Sequence, residues 1–207
     1  MSEERQRHWD GVYKQKESRE VSWYQEYPDL SLQLIEQSAI ARDESIIDVG
    51  GGASVLVDNL LQKGFSQLAV LDISAAALEC AKRRLAGRAE QVEWLVSDVT
   101  RFVPQHPFVL WHDRAVFHFL TGERDRQRYI EILKTSLVDN GYLVLATFAP
   151  DGPQMCSGLP VERYDADKMR AVLGPGFTLL DSRREAHTTP SGMVQRFTYA
   201  LFRYHSS

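Results

Sequence analysis

Cysteine is scarce in this chain of 207 residues, and the two present, Cys80 and Cys156, lie far apart. That excludes a disulfide framework, a paired-cysteine redox motif and a thiolate metal cluster, and it suits a reducing, cytoplasmic compartment. Long apolar runs are also missing. None approaches the roughly 18 residues of a membrane-spanning helix. The first residues, Met-Ser-Glu-Glu-Arg-Gln-Arg, carry both charge signs where a secretory signal needs an apolar core and a transit peptide avoids acids. No membrane association is expected. Nor is there an excess of positive charge: 24 Lys and Arg face 28 Asp and Glu, a formal net charge of −4. Nucleic-acid surfaces are usually basic, so no such partner is expected. The small clusters Arg83-Arg84, Arg124 to Arg128 and Arg183-Arg184 read as solvated faces. With no repeat or low-complexity segment, 43% hydrophobic and 25% charged residues describe one ordinary globular unit.

The informative stretch is Ser45-Ile-Ile-Asp-Val-Gly-Gly-Gly-Ala-Ser54. A short β-branched run, a glycine turn and a helix-like segment from Val55 predict strand, turn and helix N-terminus. Glycine lets a ligand approach the backbone, and the helix start offers unpaired N–H groups. Two ligand classes use such a turn. A dinucleotide fingerprint wants Gly-x-Gly-x-x-Gly, but its third glycine is Val55 here. Asp48, two residues before Gly50, would repel a pyrophosphate. It suits a ligand with a cationic amino-acid end.

Asp48-x-Gly50-Gly51-Gly52 with Ser54 resembles motif I of the class I S-adenosylmethionine-dependent methyltransferases, with Ser54 where the family has its last glycine. Gln67-Leu-Ala-Val-Leu-Asp72 reads as the next strand. Asp72 lies 20 residues beyond Gly52, the spacing at which a carboxylate holds ribose hydroxyls in either ligand class. Val92-Glu-Trp-Leu-Val-Ser-Asp98 reads as a third strand with an acid past its end. The resemblance implies S-adenosyl-L-methionine as cofactor. It implies that Asp98 accepts from the adenine amino group, that Ile73 and Val99 flank the adenine faces, and that Asp48 supports the amino-acid end.

Alternating strand and helix patterns from residue 45 imply parallel strands joined by crossovers. Strands are expected at 45–49, 67–72, 91–96, 107–112 and 141–148, and helices at 54–63, 74–86, 114–120 and 124–138. Two long strands near the end, 177–186 and 195–204, flank the turn Thr189-Pro-Ser-Gly192. The expected fold is α/β: a Rossmann-like, seven-stranded methyltransferase sheet, mostly parallel, closed by a C-terminal antiparallel hairpin. Residues 1–42 form an N-terminal helical cap and 43–207 the methyltransferase domain, as one structural unit. A dinucleotide domain would more often end in another parallel strand.

Strand carboxyl ends are where open α/β sheets bind ligands, so Phe108 to Leu120 borders the acceptor. Asp113 is expected near the methionine end of the cofactor, and His118 is expected to take a proton from the nucleophile. Trp9, Tyr13, Trp23 and Tyr24 form an aromatic set that can face a sulfonium cation, with Tyr13 and Trp23 on the cofactor and Tyr24 on the acceptor. Val21-Ser-Trp-Tyr24 and Leu71-Asp-Ile-Ser74 are similar to the lysine methyltransferases acting on elongation factor and citrate synthase. That group tends to carry Asp-Lys-Gly-Thr-Leu-Asp where this chain has Asp113-Arg-Ala-Val-Phe-His118. The segment 148–160, rich in Pro and Gly, is expected to be a loop overhanging the acceptor, with Cys156 able to touch it. No Asn-Pro-Pro-Tyr, Asp-Pro-Pro-Tyr or Pro-Cys motif is present, which demotes base and amide acceptors. The expected function is in-line methyl transfer, without a metal, to a small molecule, by a monomer or weak dimer. Protein lysine methylation and a non-catalytic cofactor-binding module are the alternatives.

Overall fold

A computed structural model describes residues 2–15 and 19–206. Part of the polar stretch after Tyr13, residues 16–18, lies outside the described residues. Each short apolar run becomes a strand: β1 Ser45–Val49, β2 Gln67–Asp72, β3 Val92–Val96, β4 Phe108–Arg114, β5 Leu137–Phe148, β6 Met155–Cys156, β7 Leu159–Pro160, β8 Phe177–Thr188 and β9 Val194–Tyr204. The helices are α1 Ser2–Gln15, α2 Asp29–Gln37, α3 Leu56–Gln62, α4 Ala75–Leu85, α5 Glu123–Ser136 and α6 Ala166–Leu173.

Seven strands form one sheet in the order β3-β2-β1-β4-β5-β9-β8. β1, β2, β3, β4 and β5 pair in parallel, whereas β9 pairs antiparallel with both β5 and β8. The strand order reverses between β1 and β4, which makes the crevice at their carboxyl ends the ligand position of such a sheet. The alternation of side chains across each strand sorts the core into two layers. Ile47, Val49, Leu71, Trp111 and Leu145 pack towards α5 and α6, with Tyr129, Leu133, Met169 and Leu173. Ile46, Leu68, Val70, Leu110 and Val144 pack towards α2, α3 and α4, with Leu34, Leu60 and Leu78.

Three local expectations change. Residues 114–120 form no helix: β4 runs through Arg114, and only a single 3-10 turn follows at Phe117–Phe119. The reason is Asp113, whose carboxylate takes the Val116 and Phe117 N–H groups, while Ala115 turns into the left-handed region at φ 72°. The loop 148–160 contains the β6–β7 hairpin, turned by Ser157 and Gly158, both at positive φ, as a two-residue hairpin turn requires. Helix α6 was not expected. Asp165 caps it, its side chain accepting from the Lys168 N–H at 2.8 Å, and Gly174 stands at its C-terminal end.

Candidate active site

The carboxyl ends of β1, β2, β3 and β4 open into one cleft. It is lined by Val49 and Gly50 at the end of β1, Leu71, Asp72 and Ile73 at the end of β2, Ser97, Asp98 and Val99 after β3, and Arg114, Ala115 and Val116 at the exit of β4. Bare backbone is obligatory at the turn. Gly50 has φ +66°, and a Cβ there would lie 2.0 Å from Val116 Cγ2. At Gly52 a Cβ would lie 2.7 Å from Asp72 Oδ2 and 3.0 Å from the Tyr13 hydroxyl. A second recess continues behind the turn, lined by Tyr24, Ser31, Asp48, Gly51, Ser54, His112 and, shared with the main cleft, Gly50, Trp23 and Arg114.

The carboxylates differ in their engagement. Asp72 is buried, and Ser74 N–H donates to its Oδ1 at 2.8 Å. Burial, with Asp48 and Asp10 nearby, pushes its pKa up to about 7. Asp98 Oδ1 accepts from Thr100 N–H and the Thr100 hydroxyl, while Oδ2 is 3.5 Å from Arg5 Nη1. Asp48 lies beneath the turn: His112 Nδ1 meets its Oδ1 at 2.7 Å, and His112 Nε2 meets Ser31 Oγ at 2.9 Å. Ser54 Oγ accepts from Leu56 N–H at the start of α3.

Helix α1 roofs the cleft. Arg5 pairs with Asp98 and Asp125, and Ser74 Oγ donates to Asp10 at 2.6 Å. The helix thereby carries Trp9 and Tyr13 over the opening, where Trp9 meets Trp23 and Phe119 edge-on at centroid distances of 5.7 and 5.1 Å. Burial, then the Asp72 charge, raises the Tyr13 hydroxyl well above its ordinary range. Cys156 closes the far wall, and burial pushes its thiol up to about 11.

Two expected residues stand elsewhere. Asp113 is fully buried behind β4, on the α5 side of the sheet. It accepts from Val116 N–H at 2.9 Å, Phe117 N–H at 3.1 Å and the Tyr129 hydroxyl at 2.6 Å. Its pKa is raised to about 6, chiefly by burial. His118 is also fully buried, its ring against Phe119 and Phe148, with Nδ1 accepting from the Phe148 N–H at 3.3 Å. Burial, then Arg114, pushes His118 down to about 3. Neither residue, expected to handle the acceptor's proton, lines the cleft: both side chains bond the backbone around it. Conversely, Arg5, Arg114, Val116 and Phe119 line the cleft without an individual role expected there, and Trp9 of the aromatic set joins them. Trp9 had its helical spacing with Tyr13 as a signal. Arg114 had one too, a lone cation at a strand end in a site of acids.

Residues 46–141 match a family described as a methyltransferase domain, a span from β1 into β5 that contains the glycine turn and all three strand-end carboxylates. EEF1A lysine methyltransferase 2 of Danio rerio is 24% identical over 195 residues, covering 84% of this chain and 75% of that protein. The fold is similar to that of a structure reported for conversion of a disulfide bond into a thioacetal group during echinomycin biosynthesis, with a TM-score of 0.78, 15% identity and coverage of 97% and 91%. It is also similar to N-methyltransferase NodS from Bradyrhizobium japonicum WM9 in complex with S-adenosyl-L-homocysteine, with a TM-score of 0.71, 17% identity and coverage of 95% and 98%. Sequence match, sheet order and glycine turn agree: residues 46–141 match a methyltransferase domain family, and the chain is similar in sequence and in fold to S-adenosylmethionine-dependent methyltransferases.

Proposed function

We propose that this methyltransferase acts on a small-molecule nucleophile enclosed between the cofactor and the aromatic roof. The observation that carries this reading is the roof itself: α1 and Trp23 cover the cleft, so its acceptor half is walled by Trp9, Trp23, Phe119, Arg114 and Cys156 of the same chain. In this reading the two halves divide the work. Asp72 accepts from the ribose hydroxyls and Asp98 from the adenine amino group, with Ile73 and Val99 against the adenine faces. The backbone of Gly50, Gly51 and Gly52 approaches the amino-acid end, supported by Asp48 and Ser54. Tyr13 and Trp23 close over the sulfonium, and Tyr24 and Cys156 border the acceptor. Free Cys80 and Cys156 suit the cytoplasm. No described helix is long and apolar enough to cross a membrane.

S-adenosylmethionine supplies a methyl group already activated by its sulfonium. The protein's own contribution is alignment and exclusion of water, and alignment alone can lower a barrier by roughly 7–11 kcal/mol. The fixed turn, pinned beneath by the Asp48–His112–Ser31 chain, and the roofed aromatic wall supply both.

Protein lysine methylation is the second reading, favoured by the likeness to the zebrafish enzyme. Incubation with isotope-labelled S-adenosylmethionine, a panel of small thiols, amines and acids, and a cell extract separates the two. Label in small products supports the proposal. Label confined to protein overturns it.

A further inference from the structure

We propose that Arg114 is the acceptor-binding residue of this enzyme, and that it selects a low-molecular-weight thiol, methylated as its thiolate. This deepens the small-molecule reading above and rests on it.

The guanidinium is built into place. Nε donates to the Tyr199 hydroxyl at 2.7 Å, Nη1 donates to the Trp23 carbonyl at 2.9 Å, and the group lies 4.5 Å over the Phe197 ring. Glu185 Oε2 is 3.6 Å from Nη2, beyond hydrogen-bond reach, and Nη2 is buried without a hydrogen-bond partner among the described residues. The side chain is 10% exposed and lines both the main cleft and the recess behind the glycine turn. An arginine carries five N–H donors, and leaving them unmet in a buried position is costly. Tyr199, Trp23 and Phe197 hold this guanidinium and Glu185 forms an ion pair with it without a hydrogen bond, which leaves N–H donors for an anion at the junction of the two recesses. That junction is also the point where the strand order reverses.

The inventory of proton acceptors then narrows the acceptor. The ionisable side chains lining the main cleft, among the described residues, are Arg5, Tyr13, Asp72, Asp98, Arg114 and Cys156. Asp72 and Asp98 stand at the ends of β2 and β3, on the side read as the adenosine half. Tyr13 and Cys156 stay protonated at neutral pH because burial raises both. The histidines around Arg114 are all engaged: His112, which lines the recess with it, meets Asp48 through Nδ1 at 2.7 Å and Ser31 through Nε2 at 2.9 Å, His118 accepts from the Phe148 N–H, and His187 bonds the Ser22 carbonyl through Nε2 at 2.8 Å. An alkylamine would arrive protonated, meet a fixed cation and find Asp48 and His112 already bonded to each other. A thiol ionises near pH 8.5 in water, and an adjacent cation favours the thiolate. The step balances without a protein base. The thiol proton passes to solvent, the thiolate pair forms the new S–CH3 bond, and the methyl–sulfonium bond breaks with its pair kept by the departing sulfur, which becomes a neutral thioether.

The test uses the full chain with phenylmethanethiol, phenylmethanamine and phenylmethanol, probes that differ only in the nucleophile. Product is read by mass spectrometry and S-adenosylhomocysteine affinity by calorimetry. Ultraviolet absorbance reports how much phenylmethanethiol is ionised on the S-adenosylhomocysteine-loaded protein. The thiol is expected to be the preferred acceptor and to bind as thiolate at neutral pH. Arg114→Met is expected to lower kcat/KM for the thiol about 30-fold, the effect of losing one charge-assisted hydrogen bond, to abolish the thiolate absorbance and to leave S-adenosylhomocysteine affinity within about 3-fold. Arg114→Lys keeps the charge and is expected to fall between, which covers the case that the Met variant does not fold. Preference for the amine or alcohol overturns the thiol assignment while leaving the small-molecule reading intact. Methylation confined to protein overturns both. A loss of S-adenosylhomocysteine affinity in both Arg114 variants, with thiol KM unchanged, overturns the role of Arg114 and assigns it to the methionine carboxylate.

Discussion

The two halves of the cleft are made from different parts of the chain. The half bearing Gly50, Asp72 and Asp98 is contributed by consecutive strand ends, each acid following its own apolar run. The half bearing Trp9, Trp23, Arg114, Phe119 and Cys156 is assembled from the N-terminal helix, Trp23, the exit of β4 and a small hairpin, and is backed by Phe197 and Tyr199 of β9. The first half is local and repeats from strand to strand. The second is a long-range assembly whose key side chain, Arg114, takes its partners from residues 71 to 91 positions away (Glu185, Tyr199 and Trp23). In the proposed function the first arrangement serves the cofactor and the second the acceptor.

The sharpest way to break this division is at Gly50, where the halves touch. Gly50→Ala places a Cβ into Val116 Cγ2 at a residue with φ +66°. We expect loss of measurable S-adenosylhomocysteine binding and destabilisation of about 3 kcal/mol, read by denaturant titration, since strain and overpacking add. Wild-type affinity in this variant would mean the two turns are not in contact. Next is Asp72→Asn, with an expected loss of about 10- to 100-fold in S-adenosylhomocysteine affinity. The pH dependence has a definite sign. Ribose hydroxyls need the ionised carboxylate, and burial raises Asp72 to about 7, so wild-type affinity should weaken as pH falls through that value and level off above it. A calorimetric pH series that is flat for the wild type, or equally steep for the Asn variant, removes Asp72 from the ribose.

His118→Asn comes third. Removal of the ring packed on Phe148 and Phe119 should cost about 2 kcal/mol of stability, while kcat per folded molecule stays within about 3-fold. Burial holds His118 near 3, so it stays neutral through the working range and contributes no limb to the rate profile. A limb near neutrality that disappears in the variant would restore it as a base. Smallest is Arg5→Ala. The side chain is 30% exposed, so its ion pairs with Asp98 and Asp125 are solvent-screened, and S-adenosylhomocysteine affinity should move by no more than about 3-fold. A larger change would make α1 an integral wall of the adenosine half.

The same division explains what the sequence could reveal. The strands ending at Val49, Asp72 and Val96 were readable because short β-branched runs followed by turn residues are local signals, and the terminal hairpin was readable for the same reason. The exit of β4 was misread because Phe117, His118 and Leu120 mimic helical spacing. The buried Asp113 carboxylate instead captures the N–H groups a helix would use, and Ala115 leaves the helical region. Helix α6 was missed although Asp165 and Gly174 bracket it, because only Met169 and Leu173 mark its buried face. The partners of Arg114 were not legible at all. Nothing in the local pattern of β4 announces that Glu185 and Tyr199, brought in by antiparallel pairing, will meet it.

Asp113 has one more consequence. Its carboxylate, locked from behind by Tyr129, itself bonded to Trp111, fixes the direction in which the backbone leaves β4 from inside the core. The residues that follow, Arg114, Ala115 and Val116, therefore present their side chains to the cleft on a path that owes nothing to the guest. Such a bracket separates support from contact: a substitution at those three positions changes what the cleft offers, while the scaffold holding them from the core side keeps its shape.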